Sequence, residues 1–186
     1  MNAVKEKKAF TYADYKSWPE GKRIEVIDGN PVMQSAPGVR HQQVLKRLLR
    51  KIDEFLDDKP CEVYPAPLEL RLSPLNDESD TNVYEPDLMV ICDKSKLTDR
   101  GVAGPPDMVV EILSPSTARY DKINKLNNYL KAGVREYWIV DPAEGTVAAH
   151  FLKDGEYTVR YYDEYTGAPV RILEGLNINL KDIFTE

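Results

Sequence analysis

Hydrophobic positions along the chain change their spacing several times, and each change marks an element. Arg23-Ile24-Glu25-Val26-Ile27 alternates polar and apolar residues, Asp28-Gly29 supplies a tight turn, and Pro31-Val32-Met33 follows. That pattern predicts a hairpin near the N-terminus. Ahead of it, Thr11 is placed to cap a short helix through Trp18, stopped by Pro19 and Gly21. From about Val39 to Asp57 the period becomes helical, with Val44, Leu45, Leu48, Leu49, Ile52, Phe55 and Leu56 on one face. Strand-like pieces follow at Cys61–Tyr64 and Leu68–Leu72, and Ser73 to Val83 reads as an exposed polar loop.

Leu88 to Cys92 and Met108 to Leu113 are short, almost continuous apolar runs, the signature of central strands covered on both faces. A loop holding Gly101, Gly104, Pro105 and Pro106 separates them. Ser114-Pro115-Ser116-Thr117 reads as strand exit and helix cap, leading to a helix of about Arg119 to Ala132 that Gly133 ends. Glu136 to Val140 is the next buried strand, closed by Asp141-Pro142. The tail predicts a hairpin around Asp154-Gly155, a strand near Pro169–Leu173 and a terminal Asn177–Phe184 segment. With no linker and no internal repeat, residues 1–186 read as one α/β domain with a mixed sheet.

Composition adds limits. Hydrophobic residues make up 42% and charged residues 30% of the 186, a globular balance. Met1 to Lys8 is basic but leads into no signal-peptide apolar stretch, and no run approaches the roughly 20 apolar residues of a membrane span. The two cysteines, Cys61 and Cys92, stand apart without a CxxC or zinc set, so a reducing cytoplasm is the expected location.

Glu111 is the sharpest anomaly, because Met108-Val109-Val110 and Ile112-Leu113 around it demand burial. A buried carboxylate needs a cation or hydrogen-bond donors. A structural pairing with an arginine would meet that need as well as a functional one. Asp87, in Glu85-Pro86-Asp87, enters the adjacent apolar strand; alone it is a turn residue, but with Glu111 it forms a carboxylate pair. Two carboxylates at a sheet, without thiol or imidazole company, favour Mg2+ or Mn2+. On the following helix, Lys122 flanks the core face and Lys125 lies one turn before Tyr129 and one turn after Asp121. An Asp121–Lys125 pair would position the lysine.

These blocks together resemble a known family. Glu85-Pro86-Asp87, the run Gly104 to Thr117 and the run Lys125 to Pro142 resemble the Uma-two family of restriction-endonuclease-like proteins. The likeness extends over nearly the whole chain, including the Ile24–Gly29 hairpin and His41 at the start of the long helix. That family is similar to the PD-(D/E)XK nucleases, which implies a mixed central sheet flanked by helices with hairpins toward both ends. The resemblance implies that Asp87 and Glu111 are metal ligands for Mg2+, with Mn2+ an alternative. Leu113 stands where the superfamily carries lysine, so the resemblance moves that role to Lys125, with Lys122 as the fallback. It also adds Glu25 as a further acidic member, against the simpler reading of an exposed strand residue. His41 reads as a plain polar residue of a first helical turn, and Tyr129 and Trp138 as core or site lining.

The formal net charge is −6, which advertises no nucleic acid by itself. Cations nevertheless cluster at Arg40, Lys46, Arg47, Arg50 and Lys51, and again at Arg119, Lys122, Lys125, Lys131 and Arg135. Two basic helices flanking a cleft would contact phosphates; solvated helix faces explain each cluster equally well. With no base-reading module visible, the expected partner is DNA without strong sequence specificity, and the resemblance implies a homodimer. The expected activity is a metal-dependent endonuclease. The competing expectations are an inactive nuclease-fold binding module and, more remotely, a two-carboxylate glycoside hydrolase.

Overall fold

In the computed structural model, residues 9–19, 21, 23–74, 77–114 and 124–185 are described. Thr11 caps helix α1 (Tyr12–Tyr15), and the Thr11 and Asp14 side chains form a reciprocal capping box. The hairpin β1 (Ile24–Ile27) and β2 (Asn30–Met33) turns through Asp28 at φ 51° and Gly29 at φ 73°. Both turn residues have positive φ, as a two-residue hairpin turn requires. Helix α2 (Val39–Leu56) buries Val44, Leu45, Leu48, Ile52 and Leu56. Each such side chain contributes roughly 1.5–3 kcal/mol of burial.

The remaining elements are β3 (Glu62–Pro65), β4 (Glu69–Arg71), β5 (Leu88–Ile91), β6 (Gly101–Ala103), β7 (Met108–Ile112), α3 (Leu126–Ala132), β8 (Glu136–Asp141), β9 (Thr146–Lys153), β10 (Glu156–Asp163), β11 (Gly167–Pro169), β12 (Asn177–Asn179) and α4 (Leu180–Phe184). A six-stranded sheet runs in the order β10-β9-β8-β7-β5-β3, with β7 and β8 parallel and every other neighbouring pair antiparallel. Alternation along each strand divides its side chains between two faces. Leu88, Val90, Met108, Val110 and Ile112 point toward α2 and the C-terminal elements, while Met89, Ile91, Val109 and Leu113 pack with Leu70, Val102 and Tyr129 on the opposite face.

Three expectations change, and a fourth is only partly within the described residues. The Gly101–Pro106 stretch is not all loop: β6 pairs in parallel with β4, apart from the main sheet. Gly101 permits this, since a Cβ there would lie 2.2 Å from the Glu69 carbonyl oxygen. The strand near Pro169–Leu173 ends at Pro169, because Val170 and Leu176 close the following residues into a turn through a 2.9 Å backbone hydrogen bond. Helix α3 is observed from Leu126, entered through one wider turn at Asn124 and Lys125. Its expected start at Arg119, the Ser116-Thr117 cap, Asp121 and Lys122 lie outside the described residues. Finally, Cys61 and Cys92 are not separate. The register Glu62↔Ile91 continues to bring them face to face across β3 and β5, and their sulfurs are bonded. That bond removes the ground on which the cysteines pointed to a reducing compartment.

Glu136 is the buried acid furthest from expectation, at 0% exposure. Its Oε1 accepts from the Trp138 indole N–H (2.6 Å) and its Oε2 from the Ile172 backbone N–H (2.9 Å). Burial pushes its carboxyl from 4.5 up to about 7. The folded chain therefore holds a proton that the unfolded chain releases. The associated stability is complete below about pH 4.5 and is lost as the pH rises through about 7. Denaturation midpoints are expected to fall across that window, and Glu136→Gln should flatten the slope. Equal slopes for the two proteins would contradict this account.

Candidate active site

The strand register itself builds the acidic pair. Leu88 faces Val110 across β5 and β7, so one further step places Asp87 opposite Glu111. Residues 87, 89 and 91 share parity, as do 109, 111 and 113, and both carboxylates therefore emerge on the α3 side of the sheet. The Ile112 backbone N–H donates to Asp87 Oδ2 at 2.7 Å and locks the aspartate at the strand entrance. The two residues are 9% and 4% exposed.

Helix α3 and the β1–β2 hairpin complete the cluster from above. Lys125 Nζ donates to Glu111 Oε1 at 2.8 Å and to Glu25 Oε1 at 2.9 Å. Tyr129, one turn later on the same helix face, donates its hydroxyl to Glu111 Oε1 at 3.0 Å. Its phenol is held well above its ordinary 10.0 by burial and then by the Glu111 charge, so it stays a donor. Gln34 of the hairpin's outgoing chain donates to Glu25 Oε2 (2.6 Å), and the Glu85 backbone N–H donates to Glu25 Oε1 (2.9 Å). Asn128 and Asn124 reach the Asp28 turn at 3.1 and 3.4 Å, which docks the helix carrying Lys125 onto the hairpin carrying Glu25.

Glu25, Asp87, Glu111 and Lys125 thus line one small cavity of about 40 Å³, together with His41, Glu85 and Arg23. Burial raises the Glu85 carboxyl, against the pull of Arg23. Among the described residues, Glu25, Asp87 and Glu111 bring three carboxylates around the Lys125 ammonium in a desolvated place, a setting that suits a divalent cation. The donor set is oxygen from Asp87 and Glu111, suited to a hard ion. Among the described residues, no three His, Cys, Asp or Glu side chains converge on one ion position. A Mg2+-type ion nevertheless fits, since such an ion takes one or two protein carboxylates and completes its shell with water and phosphate.

His41 departs from the plain reading. Its Nε2 lies 3.2 Å from Asp87 Oδ2, and its Nδ1 is buried without a hydrogen-bond partner among the described residues. The signal was present: His41 shares the helical phase of Leu45, Leu48 and Ile52, the buried face of α2. Glu25 is 1% exposed, not a solvated strand residue. Tyr129 is core whose hydroxyl reaches Glu111, and Trp138 belongs to the core on the opposite face.

Part of the basic face of α2 is engaged within the chain, while Lys46 and Arg50 are exposed. Arg40 and Arg47 donate to the carbonyls of Phe184, Ile183 and Thr185 at the end of α4, and Lys51 pairs with Asp182 at 3.2 Å. A helix C-terminus attracts cations, so these side chains clamp the C-terminal helix instead. Of the second cluster, Lys125 is buried in the site and Arg135 pairs with Asp107 at 3.0 Å, while Arg119 and Lys122 lie outside the described residues. No helix among the described residues is long and apolar enough to cross a membrane.

A mixed sheet with helices on its faces and carboxylates on adjoining strands defines the restriction-endonuclease-like class. The chain belongs to the Uma2 family, described as "Putative restriction endonuclease", whose model matches residues 12–181. Two uncharacterized proteins of Synechocystis are each 27% identical to it. One alignment spans 146 residues, covering 76% of this chain and 80% of the relative. The other spans 153, covering 80% and 78%. A crystal structure from Anabaena variabilis, described as "a putative nuclease belonging to DUF820", superposes with a TM-score of 0.74 at 22% identity. It covers 95% of this chain and 98% of that one, a likeness of fold.

Proposed function

We propose that this protein is a divalent-metal-dependent endonuclease that hydrolyses phosphodiester bonds of DNA at the Asp87–Glu111 cluster. The observation that carries the reading is the convergence of a buried lysine amine on the second acid of a facing carboxylate pair. Asp87 and Glu111 are the residues that hold the ion, and Mg2+ or Mn2+ suits their oxygens. Bound there, such an ion supplies charge neutralisation at the phosphate and a lower pKa for the attacking water.

The chain's own groups do the rest. Lys125, held between Glu25 and Glu111, presents a fixed positive charge toward the charge that develops on the phosphate oxygens. Glu25 and Tyr129 hold that amine and the Glu111 carboxylate in register, and His41 holds Asp87. Water adds to phosphorus as one P–O ester bond breaks, leaving a phosphate monoester and a sugar hydroxyl that takes up the proton. Hydrolysis of supercoiled plasmid in Mg2+ or Mn2+, abolished by chelator and restored by returning the ion, is the expected result. Equal nicking in chelator would sink the metal-dependent reading.

A further inference from the structure

A second cavity, of about 330 Å³, adjoins the carboxylate cluster and shares Glu85 with it. Its wall carries the half-buried rings of Tyr15 and Trp18, whose centroids lie 5.5 Å apart. Phe10 packs edge-on against Trp18 at 5.4 Å and fixes the indole in place. Arg100 lines the same space, held to Glu69 by a 2.9 Å hydrogen bond. The Gly101 backbone contact with Glu69 seats the segment that presents it.

Glu85 is the unusual member. Its side chain is 10% exposed, and its Oε2 is buried without a hydrogen-bond partner among the described residues. The Arg23 Nε lies 3.7 Å from that oxygen, close enough for attraction and too far for a hydrogen bond. Among the described residues Arg23 is the cation that approaches this oxygen, and a buried acceptor without a close donor costs free energy. The cavity therefore gathers two aromatic rings, the Glu85 side chain and the Arg100 guanidinium, side by side with a phosphate-directed cluster.

We infer that this cavity is a nucleobase subsite that takes an unstacked guanine beside the phosphodiester held at the Asp87–Glu111 cluster. The role of that neighbouring phosphodiester rests on the nuclease reading; the base contacts do not. Guanine alone among the four DNA bases presents two adjacent N–H donors on its Watson–Crick edge, the complement of a carboxylate. Its O6 and N7 acceptors suit an arginine fork. Its ring face suits Trp18 and Tyr15, since base–aromatic stacking contributes to single-strand binding regardless of sequence. The enzyme would thus read one base in an otherwise unspecific strand.

The test is calorimetric titration of the full chain, in chelator so that no cleavage occurs, with each deoxynucleoside monophosphate at millimolar concentration. Deoxyguanosine monophosphate is expected to bind about tenfold or more tightly than the other three, the discrimination a buried acceptor supplies. Glu85→Gln should shrink that preference to within about threefold, since an amide offers one acceptor in place of two. Trp18→Ala should weaken every nucleotide about tenfold. Thermal melts of both variants establish that they fold. Trp18 also reports binding by quenching, because Trp138 is fully buried on the far face of the sheet. Equal affinity for the four nucleotides, displacement by inorganic phosphate as effective as by nucleotide, or a preference untouched in Glu85→Gln each overturns the inference. Guanine-selective binding in a protein that never nicks DNA would uphold the subsite and strike the nuclease reading. Nicking without any base preference would do the reverse.

Discussion

Glu111→Gln is expected to lower metal-dependent nicking by about 10²–10³-fold or more while leaving the fold intact. The argument begins with what the glutamine keeps. Glu111 Oε1 accepts from Lys125 and Tyr129, and a glutamine carbonyl oxygen accepts from the same two donors in the same shape. What it loses is the negative charge, and with it one of the two facing carboxylates that would hold an ion. Asp87→Asn acts on the other ligand with the same expected loss, again keeping an oxygen for the Ile112 N–H. Plasmid nicking and Mn2+ titration on both variants make the check. If both variants nick at the parent rate, the carboxylate pair is structural and the proposed site is wrong.

Lys125→Met is expected to have the second largest effect, on stability as well as on activity. Lys125 is 2% exposed and bonded to two carboxylates that are themselves buried. Removing the ammonium takes away the cation that Glu25 and Glu111 both bond. Breaking a buried pair in this way costs about 3–5 kcal/mol. In a chain of this length that corresponds to a drop of roughly 10 °C in the melting midpoint. Adding Glu25→Gln to Lys125→Met removes one of the stranded charges and should recover a large part of the loss. Nicking measured well below the melting point should still be down about 10²-fold in both variants, which separates the lysine's charge from its structural part. A Lys125→Met protein as stable as the parent would show that the amine is not held as described.

Much of the architecture was legible because it depends on local pattern. The helical phase of Val44 to Leu56, the Asp28-Gly29 turn and the apolar runs around Val90 and Val110 each announce their element within a few residues. Glu111 was legible as an anomaly for the same reason: a carboxylate among continuous apolar neighbours is visible without coordinates. Harder to read were elements whose partners lie far along the chain. The short strand β6 pairs with β4, some thirty residues earlier, and only the approach of Gly101 to the Glu69 carbonyl makes that pairing possible. The cysteines likewise look isolated until β3 and β5 align.

Sequence by itself therefore determined that this chain is an α/β protein with a buried carboxylate in a central strand and an aspartate entering the next. Those features follow from periodicity, which is local. Only the tertiary structure decided what the carboxylates meet. The β5–β7 register sets Asp87 against Glu111, and docking of α3 on the hairpin brings Lys125 between Glu111 and Glu25, across 14 and 100 residues of chain. It also turned His41 from a helix-surface residue into a partner of Asp87, and Arg40 and Arg47 of α2 into a clamp on the C-terminal helix. Side-chain charge is written in the sequence, but the partner that neutralises it is chosen by packing between distant segments, which no local pattern encodes.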